Sequence, residues 1–175
     1  GQDSEGDEQF VKSWCAQRAV QFYSVQFDTK NKAAEWKKGI QETARILRYE
    51  WFEQIRSHHH YSRIATAHHA NDNLETLLIN LFKGTGISGL HGILSENGNV
   101  IRPLLFATKD MISAYAGANE VVFREDVSNA SDDYLRNAVR HKIVPVVKEL
   151  FPNAETNVSE SIVRFAQAEQ IFMRA

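Results

Sequence analysis

The chain has 175 residues, of which 43% are hydrophobic, with 20 basic against 22 acidic side chains and a formal net charge of −2. This is enough apolar material for one sizeable core, and the near balance of charge argues against a uniformly cationic RNA-binding surface while leaving room for a local basic patch. The single cysteine, Cys15, excludes a disulfide framework or a Cys-rich zinc site and fits a reducing cytoplasm; no apolar run approaches the roughly 20 residues of a membrane span, and GQDSEGDEQ does not read as a signal peptide.

Ser4 and Asp7 form a capping-box-like pair ahead of Phe10, Val11 and Trp14, which predicts a helix through about Arg18. Val20–Phe27 alternates apolar and polar residues and reads as a strand ending at Asp28, followed by a polar linker. From Ile40, the recurrence of Ala44, Leu47, Trp51 and Ile55 predicts a long amphipathic helix with Arg45 and Arg48 elsewhere on its surface. Arg63–Ala67 reads as a short buried strand. The next helix carries Leu74, Leu77, Leu78, Leu81 and Phe82, with Asn71 or Asp72 as its cap. Gly84, Gly86, Gly89 and Gly92 end that helix in a turning loop. Val100–Leu105, broken by Pro103, suggests an edge strand. Thr108 caps a helix through Tyr115, and Glu120–Arg124 reads as a further strand. A turn of small polar residues then leads to a helix that continues or restarts around Pro145, and Asn157 with Glu160 starts a terminal helix. This alternation favours an α/β fold with a mostly parallel sheet and helical cover, with an all-helical architecture as the runner-up.

Among the local patterns, HHANDNLET carries the most chemistry. On a helix, Asp72 and Glu75 lie three positions apart near the N-terminus, and His68 and His69 approach from the preceding loop. A helix N-terminus supplies partial positive charge and spare N–H donors, which suits a phosphate or adenylate, while carboxylates there can hold Mg²⁺. The competing reading is a capping aspartate with structural histidines; zinc fits poorly, because the four separated ligands of a structural site are missing. LFKGTGISGLHGI can cradle an anion on backbone N–H groups beside Lys83, or simply turn the chain; it is not a Walker A loop, since its glycines follow a helix and the lysine precedes them. Arg45 with Arg48, and Arg136, Arg140, His141 and Lys142, give two basic helical faces able to grip phosphate or carboxylate. His58–His60 read as a solvated helix end, and Trp14, Trp36 and Trp51 as core or helix-packing residues.

In order along the chain, DSEGDEQFVKSWC, IQETARILRYEWF, HHANDNLETLLINLFKGTGISGL, IRPLL and EDVSNASDDYLRNAVRHKIVP resemble the tRNA(Ile)-lysidine synthetases, N-type ATP pyrophosphatases, from about Asp3 to Pro152. The family writes its histidine motif HHxDDQxET; here Asn71 stands for the first aspartate and Asn73 for the glutamine. The resemblance implies a truncated, doubly wound adenine-nucleotide-hydrolase-like sheet, a catalytic domain over 1–152 and a helical connection over 153–175 toward further domains. It implies that Val20–Phe27 is the family's third strand, and that the first strand and its SGGxDS phosphate loop are not in this chain. The chain alone is then expected to be inactive, and a second copy to pair on exposed sheet edges. For the intact protein it implies ATP and Mg²⁺, lysine, and an isoleucine tRNA with a CAU anticodon as substrate. Asp72 and Glu75 would organise magnesium or lysine, His69 would line the adenylate pocket, and Arg45, Lys83, Arg136 and Arg140 would hold anionic groups. Another N-type pyrophosphatase with a different substrate, or a non-catalytic RNA-binding piece, are the alternatives.

Overall fold

The computed structural model describes residues 2–124 and 135–174, and the chain divides into two compact units, Gly1–Ile64 and Ala65–Ala175. The expected small polar turn before the basic helix, 125–134, lies outside the described residues. Among the described residues no helix is long and apolar enough to cross a membrane.

In the first unit, α1 (Gln2–Gln17), α2 (Thr29–Trp36) and α3 (Ile40–His58) are all helical, and α2 packs against α3. The stripe Ala44, Leu47, Trp51 and Ile55 on α3 is half-buried, as its spacing predicts. Two expectations fail here. Val20–Phe27 is not a strand, so the sheet edge expected there does not form. Alternation marks which side chains would share a face, but a strand also needs a neighbour for its backbone, and none of the described strands pairs with this segment. The polar linker contains a helix, α2, started by Asp28, whose carboxylate accepts the Asn31 N–H at 3.3 Å. Of the tryptophans, Trp36 and Trp51 are half-buried on the packed helices α2 and α3, and Trp14 is 39% exposed with the Arg18 guanidinium 4.1 Å from its ring centroid. His59, at the end of α3, sits 4.6 Å ring to ring from Tyr23, whose hydroxyl lies 3.3 Å from that of Tyr61.

The second unit is organised on α4 (Ala70–Lys83). Leu74, buried on this helix, joins Val139, Val144 and Ala154 in a core flanked by Leu78, Ile79, Val147 and Val158. Short α5 (Ile87–Leu90) and long α9 (Ala154–Phe172) pack on α4 and on each other. The helix α9 starts four residues earlier than the Asn157 cap predicts, with Asn153 at its N-cap. The glycine segment turns the chain tightly. Gly92 has φ +56°, and a Cβ there would stand 2.6 Å from Asn73 Oδ1 and 2.9 Å from Ile162 Cδ1.

Strand structure is small: β1 (Ile64–Ala65), β2 (Glu96–Asn97) and β3 (Val100–Ile101) form one sheet in the order β1-β3-β2. Strands β2 and β3 are antiparallel, Glu96 opposite Ile101 and Asn97 opposite Val100, joined by the two-residue turn Gly98-Asn99. The edge strand expected over Val100–Leu105 stops at Ile101 because Arg102 turns inward and Pro103 has no N–H to pair. Glu120–Arg124 forms no strand. Thr108 caps α6 (Lys109–Ala118) as predicted, accepting the Met111 N–H at 3.2 Å. The basic helix is continuous but irregular: α7 (Leu135–Ala138), a π-helical turn (Val139–Ile143), then α8 (Val144–Leu150) with Pro145 in its first turn.

Candidate active site at the start of α4

The chain enters α4 extended at His69, which is the N-cap; neither Asn71 nor Asp72 takes that position. Asp72 sits in the first turn and reaches back, its Oδ2 accepting the His69 N–H at 2.9 Å. The Ala70 N–H is likewise spent on the Ala107 carbonyl at 2.8 Å. The entry to the helix therefore offers fewer spare donors than the sequence suggests. His68 Nδ1 lies 2.9 Å from the Thr66 hydroxyl, and among the described residues the buried His69 Nδ1 has no hydrogen-bond partner, Asp72 Oδ2 lying 3.6 Å away.

One turn further along, Glu75 has its side chain 2% exposed. A carboxylate in such a place persists only if it is paired on both oxygens. Arg140, on the π-helical turn, supplies this by donating Nε to Oε1 at 2.6 Å and Nη2 to Oε2 at 3.1 Å. Its Nη2 is also 3.5 Å from Asp72 Oδ1. Arg136 adds Nε at 3.7 Å from Glu75 Oε2 and donates Nη2 to the Thr76 hydroxyl at 2.7 Å. The Glu75 carboxylate, helped by Asp72, holds the Arg140 guanidinium above its ordinary pKa against the opposing effect of burial. Two carboxylates and two guanidinium groups thus meet on one face of α4, from positions 60 or more residues apart in sequence.

Lys83 stands apart from this cluster. Lys83, exposed at the last residue of α4, is eleven residues from Asp72, about 16 Å along the helix. Arg45 is exposed on α3 of the other unit, its guanidinium 5.6 Å from the Tyr49 ring centroid.

Sequence reasoning did not find Glu155. It is 3% exposed, near the start of α9, and its Oε1 accepts both the Lys148 ammonium at 2.7 Å and the Asn71 side-chain N–H at 3.0 Å. The Glu155 carboxylate in turn raises the Lys148 pKa above the ordinary lysine value. Asn73, in the glutamine position of the resembled motif, is also structural: its Oδ1 accepts the Ile93 N–H at 2.6 Å and its Nδ2 donates to the Ile93 carbonyl at 3.2 Å.

Residues 1–147 match the family described as the PP-loop domain. The chain belongs to the PP-loop family. That membership implies an adenine-nucleotide-hydrolase-like α/β fold and the use of ATP. Among curated PP-loop relatives, the chain is 46% identical to the tRNA(Ile)-lysidine synthase of Chlorobaculum tepidum over 86% of this chain and 46% of the relative. It is 44% identical to that of Porphyromonas gingivalis over 89% of this chain and 34% of the relative. It is 34% identical to that of Bacillus licheniformis over 100% of this chain and 37% of the relative. The chain thus spans less than half the length of these relatives.

Proposed function

We propose that the protein to which this chain belongs joins lysine to C2 of the cytidine at the first anticodon position of an isoleucine tRNA with a CAU anticodon. The observation that carries this reading is the Asp72, Glu75, Arg136 and Arg140 cluster on α4, in a chain whose relatives bear the name tRNA(Ile)-lysidine synthase. The chemistry has two steps. The cytidine C2 oxygen attacks the α-phosphorus of ATP and pyrophosphate leaves; the lysine amine then attacks C2, loses a proton, and AMP leaves with the former C2 oxygen. Adenylation turns a poor leaving oxygen into a good one, so the protein's work is to bind, orient and balance charge.

Within the cluster the two carboxylates have different work. Both oxygens of Glu75 are occupied by Arg140, so Glu75 holds the arginines in place and is no metal ligand or base in this arrangement. Asp72 is 13% exposed at its side chain, and among the described residues its Oδ1 meets only the longer 3.5 Å approach of Arg140. It has the spare lone pairs to receive a lysine ammonium. Magnesium usually binds one or two carboxylates together with phosphate oxygens and water, and among the described residues no group of three or more His, Cys, Asp or Glu forms a metal cage. Asp72 therefore fits as a single protein ligand to Mg²⁺, whose chemistry would be to neutralise the departing pyrophosphate. Arg136, 40% exposed at its side chain, is the guanidinium best placed to meet an incoming phosphate. On this reading the protein works in the cytoplasm, alongside its tRNA substrate.

The test is transfer of labelled lysine to a CAU-anticodon isoleucine tRNA by the full-length protein with Mg-ATP. Label on the tRNA is expected, and Asp72→Asn is expected to cut kcat/KM by about tenfold or more while leaving the fold intact. Absence of tRNA-bound label, or an Asp72→Asn variant that matches the parent across a magnesium and a lysine titration, overturns the reading.

A further inference from the structure

Glu155 lies outside the proposed reacting groups, yet it is buried near the start of α9. A buried carboxylate is retained only where partners offset its desolvation. Its partners are unusual in where they come from. Lys148 comes from α8, and Asn71 comes from the first turn of α4, immediately before Asp72. Asn71 also uses its other end: Oδ1 accepts the backbone N–H of Lys109, the first residue of α6, at 2.8 Å. That N–H is one of the helix-end donors with no partner inside its own helix. One side chain therefore ties together the starts of α4, α6 and α9.

The amide orientation is set by chemistry. Its NH₂ must face the Glu155 carboxylate and its oxygen the Lys109 N–H; the flipped amide would set oxygen against carboxylate and NH₂ against N–H. Aspartate, which the family pattern has at this position, would still accept from Lys109 but would bring a second carboxylate to about 3 Å from Glu155, with only Lys148 to offset the pair. Asparagine at 71 and glutamate at 155 are matched to each other.

We propose that Asn71, clasped by Glu155 and Lys148, is a positioning residue that sets the first turn of α4 so that the Asp72 carboxylate faces the incoming lysine. The inference rests on the lysine-ligating reading for its substrate, and on the hydrogen bonds alone for the clasp. Asp72 is held from two directions. Its own Oδ2 grips the His69 N–H, and the neighbouring Asn71 fixes the turn against α6 and α9. Loosening the clasp should leave the reacting groups present but misaimed, and the loss is read first in lysine capture.

The experiment compares Asn71→Asp, Glu155→Gln and the double variant in the full-length protein. It uses steady-state lysine transfer and hydrogen exchange of the His69 amide, which reports the Asp72 bond. Asn71→Asp is expected to raise the lysine KM and to speed His69 exchange, each by about tenfold, as coupled neighbours do. Glu155→Gln alone should change both by less, and the double variant, with an amide again facing a carboxylate, should return to within about threefold of the parent. Should Asn71→Asp not fold, Asn71→Ala loses the clasp without adding charge and should show the same direction in both readouts. The inference is overturned if the two substitutions act independently. It is also overturned if lysine KM and His69 exchange per folded molecule stay at parental values while only the melting temperature falls. If the parent transfers no lysine, the lysidine reading fails, and the His69 exchange pattern still decides the clasp.

Discussion

Replacing Arg140 by methionine tests the cluster where its energetics are steepest. The substitution keeps most of the aliphatic stem and removes both donors that Glu75 uses, at 2.6 and 3.1 Å. Glu75, with its side chain 2% exposed, is then left with Arg136 Nε at 3.7 Å. Breaking a buried ion pair by deleting one partner costs about 3–5 kcal/mol, because the survivor is a desolvated charge. Arg140 is 28% exposed at its side chain and Arg136 remains, so the expected loss is lower, about 2–4 kcal/mol. For a chain of this size that corresponds to a fall in Tm of about 5–15 °C. Adding Glu75→Leu to Arg140→Met should recover most of it, since an apolar pair of similar volume carries no desolvated charge. Urea or thermal melts monitored by circular dichroism on the parent, both single variants and the double variant complete the cycle. An Arg140→Met variant within about 0.5 kcal/mol of the parent would refute the argument that this pair is tightly coupled.

Two other contacts give outcomes of their own. Gly92→Ala combines an unfavourable left-handed backbone with a Cβ forced against Asn73 Oδ1 and Ile162, and Asn73 cannot yield without releasing Ile93; a loss of about 2–4 kcal/mol is expected, and a neutral effect in urea melts would contradict the packing described. The Lys148 pKa is raised by Glu155, so the stability this pair contributes is fully present below the ordinary lysine pKa of about 10.4 and is lost as pH rises through the folded value. Parent and Lys148→Met should therefore differ in stability at neutral pH and converge only in the strongly alkaline range; a gap that closes between pH 7 and 9 would contradict the assignment.

Elements whose identity is written in their own side chains are legible in the sequence. The stripe on α3, the Leu-rich run of α4 and the Thr108 cap each answer to spacing or to one local hydrogen bond. Val20–Phe27 misleads because alternation alone does not supply a pairing partner. The β2–β3 turn is hard to read although Gly98-Asn99 is a hairpin signal, since only two residues pair on each side. In the site, the spacing of Asp72 and Glu75 puts both near the start of α4, and their arginine partners are visible as a basic face, but nothing in the sequence says which arginine meets which carboxylate. Lys83 is suggested by the resemblance, and only the length of α4 shows that it sits at the far end of the helix from Asp72. Glu155 has no signal: on an exposed face of α9 the same letter would be solvated, and only the three-dimensional meeting with Asn71 gives it meaning.

The π-helical turn decides where Arg140 points. In this turn Val144 returns its N–H to the Val139 carbonyl, five residues back, instead of four. Pro145 comes next, and a proline has no N–H to return to the carbonyl four positions earlier, so a regular α-helix through this stretch would be short of a bond and crowded by the ring. The widened turn takes up that mismatch and winds about one extra residue into the helix. Each residue added to a helix rotates its C-terminal part by about 100° relative to its N-terminal part. The compass bearing of Arg140 relative to the downstream part that carries Val144 and Val147 thus depends on the widened turn. Pro145→Ala would release the bearing while leaving every charged group of the cluster in the chain.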